Sequence, residues 1–185
     1  MDFDKVVKSR FSVRKFYSKK PDWRDILDAI DFASKIPLAG GIPSVKFILI
    51  DEEDKIIALK EAAQQDFIQT AHYVVVVVSD PKDVVRSYDE FGEVYVRQQA
   101  GAAIEQFLLK LVDVGLGGCW VGAFVESQVK TILKIPENSY VEAIIPIGYP
   151  FGKPLRKKYP DLDRITYFNK YGQKQMKPKR KVEGL

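Results

Sequence analysis

The periodicities of this chain predict an α+β fold in which a central mixed β-sheet is packed by helices. Three observations carry that expectation. Helical and strand segments are interspersed along the chain. The run 74–78 is valine at every position, apolar and β-branched throughout, which indicates an interior strand covered on both faces. No Gly-x-Gly-x-x-Gly joins a strand to a helix, so the doubly wound dinucleotide-binding sheet lacks its fingerprint.

The elements follow in order. Residues 3–8 have helical spacing, as do residues 22–35, which follow Pro21 and set Trp23, Ile26, Leu27, Ile30 and Ala33 on one face. A strand over 45–50 follows a Pro/Gly-rich loop. The acidic run 51–54 then starts a helix carrying Ile56, Ile57 and Leu59, as the helix dipole favours. After the valine strand, residues 94–114 read as one long helix, nearly uncharged over 100–104 and rich in small residues, suited to close backbone approach. A glycine-rich loop follows, then a helix over 125–133, a buried strand over 141–147, and an extended closing arm over 154–171. There is no internal repeat or linker, so residues 1–170 are expected to form one domain and 171–185 a basic tail.

Composition narrows the function classes. With 46% hydrophobic and 29% charged residues the chain reads as globular. No apolar stretch approaches the roughly 20 residues of a membrane span, and the acidic start Met1-Asp2-Phe3-Asp4 lacks an apolar signal core, so a cytoplasmic location is expected. The single Cys119 excludes an internal disulfide, and a lone His72 excludes the common zinc spacings. Cys119 reads as a small buried hydrophobe and His72 as a structural histidine, since no nucleophile elbow accompanies it. The net charge of +4 is a property of the C-terminus: residues 170–185 carry six Lys or Arg against Glu183, which leaves the rest of the chain at −1. Without a helix-turn-helix or zinc-finger pattern, no specific nucleic-acid partner is expected.

Two stretches carry chemistry. In the run SRFSVRKF, Arg10, Ser12 and Arg14 alternate, with Phe11 and Val13 between them, so an extended backbone turns the three polar side chains to one side. Two guanidiniums and a hydroxyl suit a terminal phosphate; a solvated basic surface is the plainer reading. The second stretch is Gly115-Leu116-Gly117-Gly118-Cys119-Trp120-Val121-Gly122-Ala123-Phe124, directly after the long helix.

Taken together, these stretches resemble the FMN-dependent nitroreductase family, whose chains open with Arg-x-Ser-x-Arg and later read Gly-Leu-Gly before a flavin-contacting loop. The segment from Ile36 through Phe47 and the element Ile147-Gly148-Tyr149-Pro150 are similar to family segments in the same order, so the resemblance runs from about residue 5 to about residue 170. It implies FMN as cofactor, no metal, and a homodimer in which each C-terminal arm crosses onto the other subunit. The chemistry it implies is hydride transfer from NAD(P)H through flavin N5, with ping-pong kinetics, to a flat nitroaromatic, quinone or flavin acceptor. No side chain need act as a catalytic nucleophile.

The resemblance assigns residues as well. Arg10, Phe11, Ser12 and Arg14 hold the phosphate end, with Lys158 and Arg156 from the closing arm. Trp120, Val121, Gly122 and Ala123 match the ring-facing loop, where the N–H of Gly122 or Ala123 points at N5. Gln65, after Ala62-Ala63, meets the pyrimidine edge. Gln99 and the loop of Pro37, Leu38, Ala39 and Gly41 reach the flavin of the neighbouring subunit. Relatives commonly carry serine, asparagine and glutamine near Leu38, Gly41 and Pro43, and this chain does not. That departure leaves room for a flavin-binding module without turnover. Another flavin reaction on the same scaffold, fragmentation or dehalogenation, is a further alternative.

Overall fold

The structure, a computed structural model, describes residues 2–152 and 159–176. It forms two compact units, Met1–Pro154 and Leu155–Leu185.

The first unit is built on a four-stranded sheet in the order β1, β2, β4, β3, from strands Val45–Ile50 (β1), Tyr73–Ser79 (β2), Gly117–Gly118 (β3) and Tyr140–Gly148 (β4). Every position of β2 is buried, as its valine run predicts. Its side chains alternate between two cores. Val74, Val76 and Val78 face helices α3 (Glu53–Ala63) and α6 (Glu126–Leu133); Val75 and Val77 face α2 (Trp23–Ala33) and α5 (Gly92–Asp113). The result is a three-layer α/β/α sandwich with β2 at its centre.

The sheet is antiparallel at every pairing among the described residues, not mixed as expected. The reason lies in the connections. Between β1 and β2 the chain makes two segments, α3 and the 3-10 turn Asp66–Thr70, packed on each other. The chain therefore returns to the end of the sheet it left, and β2 runs back along β1.

Expected helices and strands otherwise appear close to their predicted bounds, with α1 at Phe3–Ser9. On α2 the buried stripe is Ile26, Ala29 and Ala33, while Trp23 and Leu27 are exposed. Its apolar stripe is wider than the face the domain covers. A short helix, α4 (Lys82–Tyr88), was not legible because only Val84 is buried on it. It crosses the start of α5 at Gly92, where an added Cβ would sit 2.4 Å from Val85 Cα.

In the second unit the described residues include a single helical turn, α7 (Leu162–Ile165), and a tilted ring pair of Tyr167 and Tyr171. The closing arm is thus not extended throughout. Among the described residues no helix is long and apolar enough to cross a membrane.

Candidate active site

The N-terminal motif lies against the glycine-rich loop. Val13 N–H donates to Gly118 O at 3.0 Å, and its buried side chain occupies the space a Cβ on Gly117 would need, 2.6 Å from Val13 Cγ2. Glycine at 117 is what lets the two segments meet. With Val13 turned inward, Ser12 and Arg14 turn outward, as alternation requires. The Arg14 charge and the Ser12 hydroxyl both favour the ionised form of the Cys119 thiol, whose Sγ lies 3.9 Å from Trp120 O. Burial pushes the Cys119 thiol up all the same, the larger effect over the arginine and the serine. The Arg14 guanidinium lies 5.8 Å from the ring centre of Phe67. Arg10 Nε donates to Glu105 Oε1 of α5 at 2.9 Å.

Gln65 is half-buried at the start of the 3-10 turn, accepting at its carbonyl from Ile68 N–H at 3.1 Å. It lies two residues before Phe67, the ring over which Arg14 sits. The ring-facing loop is pinned at Val121, which exchanges two hydrogen bonds of 3.0 Å with Ile144 of β4 and is itself buried. Around that pin, Trp120 is 42% exposed, so it is not a core residue, and Gly122 and Ala123 are exposed as well. An added Cβ on Gly122 would meet only Trp120 Nε1, at 3.9 Å. The space over this loop is open.

A second group forms around α5. Pro37, Leu38 and Ala39 line a cavity of about 510 Å³ together with Tyr88, Tyr95, Gln98, Gln99 and Ala102. Gly41 closes the same loop as the last residue of the 3-10 turn Ala39–Gly41, with φ +73°. Gln99 is 4% exposed, and its Oε1 accepts from Ser44 Oγ at 3.3 Å. Its Nε2 is buried with no hydrogen-bond partner among the described residues. Such a group costs about 1–3 kcal/mol unless something answers it, so it fits a ligand oxygen or ring nitrogen.

The expected site residues thus fall into two groups, Ser12, Arg14, Gln65 and residues 120–123 in one, Gln99 and the 37–41 loop in the other. Arg156 and Lys158 lie outside the described residues. His72 is structural: its Nε2 lies 2.7 Å from Ser18 O. Among the described residues no group of three His, Cys, Asp or Glu side chains is placed to hold a metal ion.

Residues 54–149, from α3 to the end of β4, match the family model described as the nitroreductase family. The chain belongs to the nitroreductase family. Of the stretches that carry the resemblance, the matched span includes the glycine-rich loop but not SRFSVRKF. An Archaeoglobus fulgidus protein provisionally named NADH dehydrogenase/NAD(P)H nitroreductase is 28% identical over 151 residues, covering 79% of this chain and 84% of that protein. The crystal structure of a nitroreductase family protein from Clostridium novyi NT is 29% identical, with a TM-score of 0.76 over 94% of this chain and 96% of that one. The NADPH:FMN oxidoreductase of Vibrio harveyi, solved with NAD+, has the same fold at 19% identity, with a TM-score of 0.83 over 94% of this chain and 79% of that one. The α+β nitroreductase fold is therefore the architecture of this chain.

Sequence reasoning missed Phe67 under Arg14, Glu105 beside Arg10, and the tyrosines Tyr88 and Tyr95. The two tyrosines had a faint signal: both sit within a few residues of an Asp-Glu pair that ends one helix and opens the next.

Proposed function

We propose that this nitroreductase-family chain is a homodimeric, cytoplasmic FMN-dependent oxidoreductase. It takes hydride from NAD(P)H and passes electrons, in ping-pong turnover, to a flat acceptor such as a nitroaromatic, a quinone or another flavin. The observation that carries this reading is the hydrogen bond from Val13 N–H to Gly118 O. It joins a phosphate-suited motif to an open glycine loop from a distant part of the chain, so cations and a ring-sized platform share one site.

The residues present fit FMN on two further grounds, the orphaned Nε2 of Gln99 and the uncluttered face of Gly122. FMN, when bound, supplies the N5 atom that accepts and releases hydride. Arg14 and Ser12 hold the phosphate by charge-assisted hydrogen bonds, and Arg10, oriented by Glu105, adds the second guanidinium. The N–H of Gly122 or Ala123 donates toward N5 from a loop that Val121 fixes to β4, so little reorganisation is required as charge develops. Trp120 walls the ring. Gln65 meets its pyrimidine edge, and Gln99 with Pro37, Leu38, Ala39 and Gly41 meets the ring of the neighbouring subunit.

The purified protein should carry flavin absorbance bands, and it should oxidise NADH or NADPH when a quinone is added. A colourless protein with no affinity for FMN ends the proposal. The apolar 37–41 loop favours one second reading, a flavin-binding module without turnover; flavin bands with no NAD(P)H oxidation would select it.

A further inference from the structure

We infer that Ser44 is a positioning residue: its buried hydroxyl holds the oxygen of the Gln99 amide, so that Gln99 presents a hydrogen-bond donor to what it meets and not an acceptor. The inference rests on the flavin reading above and adds to it a residue that acts only through another.

Ser44 is 2% exposed and Gln99 4% exposed, so bulk water settles neither side chain. The bond between them runs from Ser44 Oγ to Gln99 Oε1. In the reverse arrangement, with Nε2 donating to Oγ, both Oε1 and the hydroxyl proton would be buried with no answering group among the described residues. As the pair stands, its unmet need is gathered at Nε2 alone. An amide nitrogen only donates, so it fits a carbonyl oxygen or an unprotonated ring nitrogen. An N–H or O–H at the same place would face a second donor.

Both ends of the pair are fixed from outside it. Ser44 stands immediately before β1, where Val45 pairs with Ser79, and its carbonyl accepts from Asp80 N–H at 2.8 Å. Ser79 in turn donates its hydroxyl to Glu142 of β4. Arg97, two residues before Gln99 on α5, places Nη1 2.8 Å from the other carboxylate oxygen of Glu142 and its guanidinium 4.0 Å from the ring centre of Tyr140. The helix that carries the amide and the sheet that follows the serine are therefore tied together by a network that leaves out the pair itself. What remains to be set is the rotation of the Gln99 amide, and the Ser44 hydroxyl sets it. At 3.3 Å the bond is long for a hydroxyl, so it biases the amide without gripping it, and its loss should have a modest effect.

The test uses the full chain as wild type, Ser44→Ala, Gln99→Leu and the double variant Ser44→Ala/Gln99→Leu. FMN affinity is read from the fluorescence of flavin released on dilution. The Gln99 side-chain amide is followed by NMR after FMN has been dialysed out, its signal assigned by its absence from Gln99→Leu. Gln99→Leu should weaken FMN roughly tenfold, and Ser44→Ala roughly 2- to 5-fold, since only part of the amide population then points its nitrogen outward. In the double variant the serine change should cost nothing further, because its partner is gone. The amide should give one sharp pair of proton signals in the wild type and a broadened or doubled pair in Ser44→Ala. Single costs that multiply in the double variant, or an amide signal that Ser44→Ala leaves unchanged, overturn the inference with the flavin reading intact. Wild-type protein with no affinity for FMN overturns the flavin reading instead, and the amide signal still decides whether Ser44 orients Gln99.

Discussion

Arg14 lies over the Phe67 ring on one side, and its charge acts on the Cys119 thiol on the other. Arg14→Ala should weaken FMN binding by the value of a charge-assisted contact, about 1.5–3 kcal/mol, or roughly 10- to 150-fold in dissociation constant. Flavin absorbance retained through dialysis measures it, and riboflavin, which lacks the phosphate, should lose little when Arg14 is removed. Gly122 invites a different test. Its φ is not in the left-handed region and its Cβ would meet only Trp120 Nε1 at 3.9 Å, so valine there should leave the melting temperature within a few degrees. Flavin reduction by NAD(P)H should slow markedly, because the added bulk occupies the ring's space; single-turnover reduction at the wild-type rate would remove this loop from the site. The alternation of Arg10, Ser12 and Arg14 was legible because it depends only on local backbone. The pairing of Arg10 with Glu105 was not, since that partner stands on an element more than ninety positions downstream.

At the scale of elements, helices and strands with a buried face were readable from periodicity, as β2 and α5 illustrate. The elements that escaped are those whose formation depends on contact. The two-residue β3 has no periodicity to show, and α4 buries only Val84. Strand direction escaped for a related reason: interspersed helices suit parallel crossovers and out-and-back connections equally, and only the packing of α3 on its 3-10 turn selects the second. The α4–α5 crossing offers a prediction in which two effects oppose each other. Gly92→Ala gains up to ~1 kcal/mol of helix propensity. It also drives a Cβ to 2.4 Å from Val85 Cα, a backbone atom that cannot swing aside. Overpacking of that kind costs about 1–3 kcal/mol, so the clash should win and the urea midpoint should fall.

At the scale of the molecule, α1, α2 and α5 border an open apolar face. Phe3, Phe32 and Leu109 line a cavity of about 590 Å³ with Ala102, and Ala102 also borders the cavity beside Gln99. Along the small-residue stretch of α5, Ala100 and Ala103 are buried within the protomer, while Ala102 is exposed. Ala102→Glu is therefore the substitution that probes the proposed dimer without disturbing the core. It should abolish an interface expected to exceed about 2,000 Å² and release flavin with it; sedimentation followed at a flavin wavelength reads both, and a flavin-bearing, fully active monomer would contradict the proposal. The central strand has a consequence for how the chain comes into being. During synthesis the five valines of β2 emerge with β1 as their available sheet neighbour, and the other edge stays unpaired until β4 leaves the ribosome. A run so apolar, uncharged and free of proline is a ready seed for self-association in that interval. The yield of folded protein should therefore be governed by the nascent chain's protection by holding chaperones, and by growth temperature, more than by the stability of the finished domain.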